Sequence, residues 1–241
     1  FNPVMYERHT AANALRRWAV RRTSRRANYL AAPSRSMAEL VSASTGRECS
    51  VVHLGIDHSV FSPTADPGEG ILCVADFYTH KRHDLILDAW CRLDSPRPRL
   101  RLIGNPRVDP RAHAHLLARI ETLPEAASIV LENDLSLRRL VEAYQHARVF
   151  VLPSEHESFC MPLVESMACG LPPVVRDLAS LRETGGDGAT YIAGDDPGRW
   201  AAALQTLIED DIEHQRARES ALRSASRFSW EAFAAGLVAQ L

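Results

Sequence analysis

Lysine is almost absent from this chain. Of the 28 basic side chains among its 241 residues, 27 are arginine and one, Lys81, is lysine. A bias this strong fits a GC-rich genome in which arginine replaces lysine wherever either serves. The surviving lysine then marks either a position that needs a compact, flexible point charge or a residue retained by chance on a solvated helix. Other shortages narrow the function classes. No apolar run approaches the ~20 residues that a membrane-spanning helix requires. The net charge of -2 gives the molecule no overall field that would draw in nucleic acid. The cysteines (Cys49, Cys73, Cys91, Cys160 and Cys169) are odd in number and contain no C-x-x-C pair. That pattern speaks against a disulfide framework or a zinc site and suits a reducing cytoplasm. Glycine is missing from ILCVADFYTHK, where a dinucleotide-binding turn would carry G-x-G-x-x-G, so a dinucleotide oxidoreductase is a weak reading.

What is present is an alternation. ILCVADF (71–77), RLRLIG (99–104), ASIVLEN (127–133), RVFVLPS (148–154), PPVVRD (172–177) and ATYI (189–192) read as strands. Helical spacing recurs between them, in HDLILDAWCRL (83–93), in 112–122, in LRRLVEAYQHA (137–147) and in 161–169, which Gly170 closes. The remainder to Leu241 is largely helical in pattern. This order predicts a Rossmann-like α/β fold, a parallel sheet with helices on both faces. Residues 1–50 differ: NYLAAPS (28–34) reads as a strand and SMAELVSAS (36–44) as a helix, the tail of a further α/β unit. The chain opens on Phe1 rather than Met, so the expectation is that the start of that unit is missing.

Ligands of an open parallel sheet bind beyond the carboxyl ends of its strands. Two loops at that edge hold chemistry. One carries Tyr78, His80, Lys81 and Arg82. The other carries Glu155, His156, Glu157, Ser158, Phe159 and Cys160, and runs into a helix with Pro162 near its start. Unpaired amides at that helix start favour an anion, and Lys81 across the crevice completes a phosphate clamp. Glu165 can accept from paired hydroxyls such as a ribose diol. His80, His83 and His156 read as a polar rim, and Met167 and Cys169 as core.

The run PSEHESFCMPLVESMACGLPPVV (153–175) resembles the glutamate-x7-glutamate signature of family 4 retaining glycosyltransferases, with Glu157 and Glu165 on the two glutamates. VVHLGIDHSVFSP (51–63), KRHDLILDAW (81–90) and FSWEAFAAGLVAQL (228–241) resemble further segments of that family, in the same order. The resemblance implies the C-terminal half of a GT-B fold that binds a nucleotide-diphosphate sugar. It implies that Glu165 holds the donor ribose, Glu157 meets the transferred sugar and Lys81 pairs with the diphosphate. It also assigns the backbone around Phe159, Cys160, Met161 and Leu163, with Ser158, to the sugar and phosphates, and Glu132 to the base. A D-x-D motif is absent, so metal-free transfer without a cofactor is expected, and retention of configuration is implied by the family alone. Where the family carries arginine five residues before the lysine, this chain has Asp76, whose charge would repel a diphosphate unless Arg82 or another arginine fills the gap.

The expected division is a remnant of an acceptor-side domain and its connection over 1–50, a nucleotide-sugar-binding domain over 51–226, and a closing helix over 227–241. The partners expected are a nucleotide-sugar donor and an unknown acceptor (lipid, polysaccharide or protein). Arg16, Arg17, Arg21, Arg22, Arg25 and Arg26 offer a solvated face, a face for the missing domain, or a contact with anionic lipid at the inner membrane. No aromatic platform accompanies these arginines, so nucleic acid is not an expected partner. A non-catalytic nucleotide-sugar-binding module is the alternative function.

Overall fold

A computed structural model describes residues 11–66 and 68–240. Residues 1–10 of the expected remnant, the side chains of Arg16 and Arg17 in the basic stretch, and Leu241 of the closing helix lie outside the described residues.

The chain enters through helix α1 (Ala11–Ser24) and a two-stranded parallel sheet, β1 (Ala31–Ala32) with β2 (Ser50–Val51). Between these strands lies α2 (Arg35–Thr45), whose amino end is capped by the Ser34 hydroxyl and whose end is turned by Gly46 in the left-handed region. Met37, Ala38, Ala32 and Cys49 form a small core of their own here. The strand expected over 28–34 therefore shrinks to two residues.

The main sheet follows the expected alternation. Its strands are β3 (Ile71–Val74), β4 (Leu100–Ile103), β5 (Ile129–Glu132), β6 (Val149–Leu152), β7 (Pro173–Arg176) and β8 (Thr190–Ile192). All pairs are parallel, in the order β5-β4-β3-β6-β7-β8. Helices cover the sheet, so the central strands are buried on both sides. Val149, Phe150, Val151 and Leu152 are all at most 1% exposed, which is why the run is continuously apolar rather than alternating. The connecting helices are α3 (His83–Trp90), α4 (Pro110–Glu121), α5 (Leu137–Gln145), α6 (Met161–Ala168) and α7 (Ala179–Gly185). They are followed by α8 (Pro197–Glu209), α9 (Asp211–Ala225) and α10 (Trp230–Val238). Side-chain caps start α4 (Asp109), α5 (Ser136), α8 (Asp196), α9 (Asp210) and α10 (Ser229).

Two features position the crevice. The strand order reverses between β3 and β6, the switch point at which open α/β sheets bind ligands. These two strands also part early: β3 pairs with β4 through Val74–Ile103, but with β6 only through Ile71–Val149 and Leu72–Phe150. Beyond that point Val74 and Leu152 face an open cleft. The strand expected over 71–77 accordingly ends at Val74. Phe77 is buried at 2% exposure, but as a loop residue packed on His83 and His113. Apolarity marked Phe77 as core, and only the packing makes it a plug rather than a strand residue.

The closing helix α10 lies against residues 50–55. A side chain at Gly55 would come within 2.4 Å of the Trp230 amide nitrogen, so only glycine admits the helix here. Ser50 donates to the Gln240 side chain across the same contact at 2.5 Å.

Candidate functional site

A cleft of about 580 Å³ opens at the carboxyl ends of β3 and β6. Lys81, Glu157 and Ser158 line it, together with Asp76, Tyr78, His156, Pro162 and the Asn133–Leu135 turn. The loop after β3 makes one short 3₁₀ turn (Thr79–Lys81), and Arg82 then adopts a left-handed conformation (φ 57°) that starts α3. The loop after β6 ends on Cys160, also left-handed (φ 73°), before α6. Neither α3 nor α6 has a side-chain cap, unlike the capped helices named above. Among the described residues no protein group accepts from the amides of Phe159, Cys160 or Met161. Those donors at the start of α6 are the anion-favouring groups of a helix amino end.

Across the cleft, Lys81 Nζ lies 2.6 Å from Glu157 Oε1, with side-chain exposures of 18% and 9%. Burial by itself would lower the Lys81 value. The charge and hydrogen bond of Glu157 outweigh it and hold the ammonium above its ordinary 10.5. The pair is therefore a preset point charge and a preset acceptor, side by side. Glu165, expected at the ribose, is absent from the cleft lining; on α6 its carboxylate accepts from the Tyr144 hydroxyl at 2.8 Å. Burial raises the Glu165 value, and the Tyr144 hydrogen bond offsets part of that rise.

The structure does not bring all the expected residues to the cleft. Arg82 turns its guanidinium away, onto Asp84, Glu155 and Asp195, so it does not take the place that Asp76 leaves. Glu132 pairs with Arg101 at 2.8 Å and is absent from the cleft lining. Phe159, Cys160 and Leu163 bury their side chains in the core, Met161 packs against that core half-buried, and none of the four is in the cleft lining. The Leu163 amide is spent on the Cys160 carbonyl at 3.1 Å, which removes it from the expected phosphate donors. Burial also pushes the Cys160 thiol well up, with Glu157 adding to the effect, so it is no reactive nucleophile. His80 and His156 line the cleft as expected, but His83 is buried at 6% exposure and is no rim residue. Burial draws its value down to about 4.

Two contributors, Tyr144 and Ser34, escaped sequence reasoning, and a third, Asp76, stood out there only as a departure from the family pattern. Tyr144 lies on the buried face of α5, in a segment the sequence marked only as helical; its hydroxyl reaches Glu165 because Phe61 and Phe150 hold the ring. Asp76 accepts the Asn105 amide at 2.9 Å, tying the loop after β4 to the loop after β3. Gly104 makes this possible, since a Cβ there would meet the Ala75 carbonyl at 2.1 Å. Ser34, from the entry segment, donates its hydroxyl to the Ser158 carbonyl and so pins the Glu157 loop from outside the main sheet.

Residues 59–224 match the family model described as glycosyl transferases group 1. The chain belongs to this family, the family 4 type of glycosyltransferase. It is similar to the D-inositol 3-phosphate glycosyltransferase of Thermobispora bispora, 30% identical over 224 residues that cover 85% of this chain and 52% of the relative. The D-inositol 3-phosphate glycosyltransferase 2 of Catenulispora acidiphila is 32% identical over 223 residues, covering 83% and 51%. The chain thus spans about half the length of these relatives. In fold it resembles Anabaena HepE, solved with UDP and glucose (TM-score 0.84, 17% identity, 97% of this chain and 68% of that one). It also resembles sucrose-phosphate synthase from Thermosynechococcus elongatus (TM-score 0.79, 19% identity, 98% and 64%). These glycosyltransferase folds bear out the Rossmann-like half of a GT-B architecture.

Proposed function

We propose that this chain is the donor-binding half of a retaining, metal-independent glycosyltransferase that moves a sugar from a nucleotide diphosphate to an acceptor. One observation carries the reading: the only lysine of the chain stands 2.6 Å from Glu157 in a cleft at the switch point of the sheet. Departure of the diphosphate breaks the bond from the anomeric carbon, leaving negative charge on the phosphate oxygens and positive charge on the sugar ring. The Lys81 ammonium and the free amides of Phe159, Cys160 and Met161 would meet the first charge. The Glu157 carboxylate, released from Lys81 as the phosphates take its place, would face the second. Groups already oriented in this way favour the charge-separated transition state over the ground state. Glu165, fixed by Tyr144, would accept from the ribose hydroxyls.

Residues 1–50 would connect this half to an acceptor-side half, a reading in keeping with relatives about twice the length this chain spans, and the acceptor would be chosen there. An apolar and basic face on α1 supports contact with anionic lipid at the inner membrane surface. Its Trp18 is 59% exposed, lies under the Arg22 guanidinium at 5.6 Å, and neighbours Arg21, Arg25 and Arg26. Among the described residues no helix is long and apolar enough to cross a membrane.

The test is a calorimetric titration of the chain with UDP-, GDP- and ADP-sugars, with and without EDTA. Tight binding of one donor, unchanged by EDTA and lost in Lys81→Met, is the expected result. Binding of none, or equal binding by Lys81→Met, would remove the reading.

A further inference from the structure

Outside the cleft, a group of ion pairs joins three loops of the sheet edge. Arg82 Nη1, on the loop after β3, lies 2.7 Å from Asp195 Oδ2 on the loop after β8. It also lies 2.9 Å from Glu155 Oε1 on the loop after β6. The other Asp195 oxygen, Oδ1, lies 2.6 Å from Nη2 of Arg176 at the end of β7. Arg176 in turn donates its Nε–H to the Pro153 carbonyl at 2.8 Å, where the Glu157 loop begins. Finally, the Glu155 amide donates to the His80 carbonyl at 2.8 Å. Both guanidinium groups are largely covered, at 18% and 11% side-chain exposure, while Asp195 stays half exposed at 51%.

Two covered cations this close would repel each other without the carboxylate between them. Each Asp195 oxygen meets one guanidinium: Oδ2 accepts a charge-assisted hydrogen bond from Arg82, and Oδ1 forms a close ion pair with the buried Nη2 of Arg176, outside hydrogen-bond geometry. The loops so joined are the ones that bear Lys81, next to Arg82, and Glu157, two residues beyond Glu155. We propose that Asp195 is a positioning residue: by bridging Arg82 and Arg176 it holds the Lys81 loop against the Glu157 loop and presets their contact. Asp84, the remaining partner of Arg82, sits on the same helix and joins nothing across the cleft. The consequence for donor binding rests on the function proposed above, whereas the positioning itself does not.

Because Lys81 is the only lysine, acylation by a water-soluble succinimidyl ester at about pH 8.5 reports on it alone once peptide mass spectrometry separates the chain's amino terminus. Asp195→Asn, Arg82→Gln and Arg176→Gln are compared with wild type, each with its melting temperature. All three are expected to acylate Lys81 about threefold faster or more, the effect of half a pKa unit or of equivalent added access. The arginine variants decide the matter. Removing a neighbouring cation stabilises the ammonium and slows acylation if charge alone acts, so a faster rate comes from a loosened Lys81–Glu157 contact. Equal or slower rates in both arginine variants overturn the proposal, as does an unchanged rate in Asp195→Asn, whatever the melting temperatures. UDP, GDP and ADP binding is measured on the same samples. A wild-type chain that binds none refutes the donor reading, and the acylation rates still decide the role of Asp195.

Discussion

Replacing Glu157 with Gln removes one charge from the cleft and keeps nearly the same shape. Coulomb attraction across 2.6 Å at an effective dielectric of about 20 is roughly 6 kcal/mol. Desolvating two largely covered ions takes back several of these. A net loss of about 2 kcal/mol at pH 7 is therefore expected. The pH dependence is the sharper signature. In the wild type Lys81 is held above 10.5, so the stability of the pair is complete below 10.5 and is lost as pH rises through the folded value. In Glu157→Gln, burial becomes the leading influence and Lys81 falls below 10.5. The sign then reverses: the folded variant sheds its proton first, and stability rises with pH up to 10.5. Urea unfolding followed by tryptophan fluorescence between about pH 7 and 11 reads both effects. Parallel alkaline limbs in the two proteins, or a loss under about 0.5 kcal/mol at pH 7, would refute the argument.

Three further outcomes follow from neighbouring geometry. Tyr144→Phe leaves the Glu165 carboxylate without its donor and should cost about 1–2 kcal/mol by urea unfolding at pH 7. Because the Glu165 value is raised in the fold, its contribution is fullest below 4.5 and lost as pH rises, so the variant should differ less from wild type near pH 4. His83 is neutral in the fold, at about 4 against an ordinary 6.5. Its contribution is therefore complete above 6.5 and lost as pH falls toward 4, on the order of 3 kcal/mol. His83→Gln should flatten that acid limb in thermal melts, and an unchanged limb would assign it to other groups. Gly104→Ala forces a Cβ to within 2.1 Å of the Ala75 carbonyl and should cost about 1–3 kcal/mol in thermal melts, weakening any nucleotide binding with it.

The alternation of apolar runs with amphipathic segments was enough for the parallel sheet, because period and run length follow directly from burial on two faces. Strand ends were less legible. Ala75 and Phe77 are as apolar and as buried as strand residues, yet they belong to a loop that turns toward α4. Helix starts at Asp109, Ser136, Asp196, Asp210 and Ser229 carry local signals that side-chain caps then realise. The starts at Arg82 and Cys160, which flank the cleft, have no side-chain cap, and only Pro162 marks the second of them in the sequence.

For the site, the lone lysine and the loops at the sheet edge pointed to Lys81, Glu157 and Glu165, and the resemblance to the family 4 glutamate-x7-glutamate run paired the two glutamates and gave them their roles. Where each charge points was beyond sequence. Arg82 adjoins Lys81 in the chain, but its left-handed backbone sends the guanidinium to Asp195, 113 positions away, instead of into the cleft. Glu132 finds Arg101 on the adjacent strand, and Glu165 finds Tyr144 through a ring placed by two phenylalanines. Local propensity and hydrophobic pattern act over a few residues, so the order of residues decided the elements and the candidates. Ion pairs and hydrogen bonds act through space between distant segments, so only the folded chain decided which candidates share the cleft.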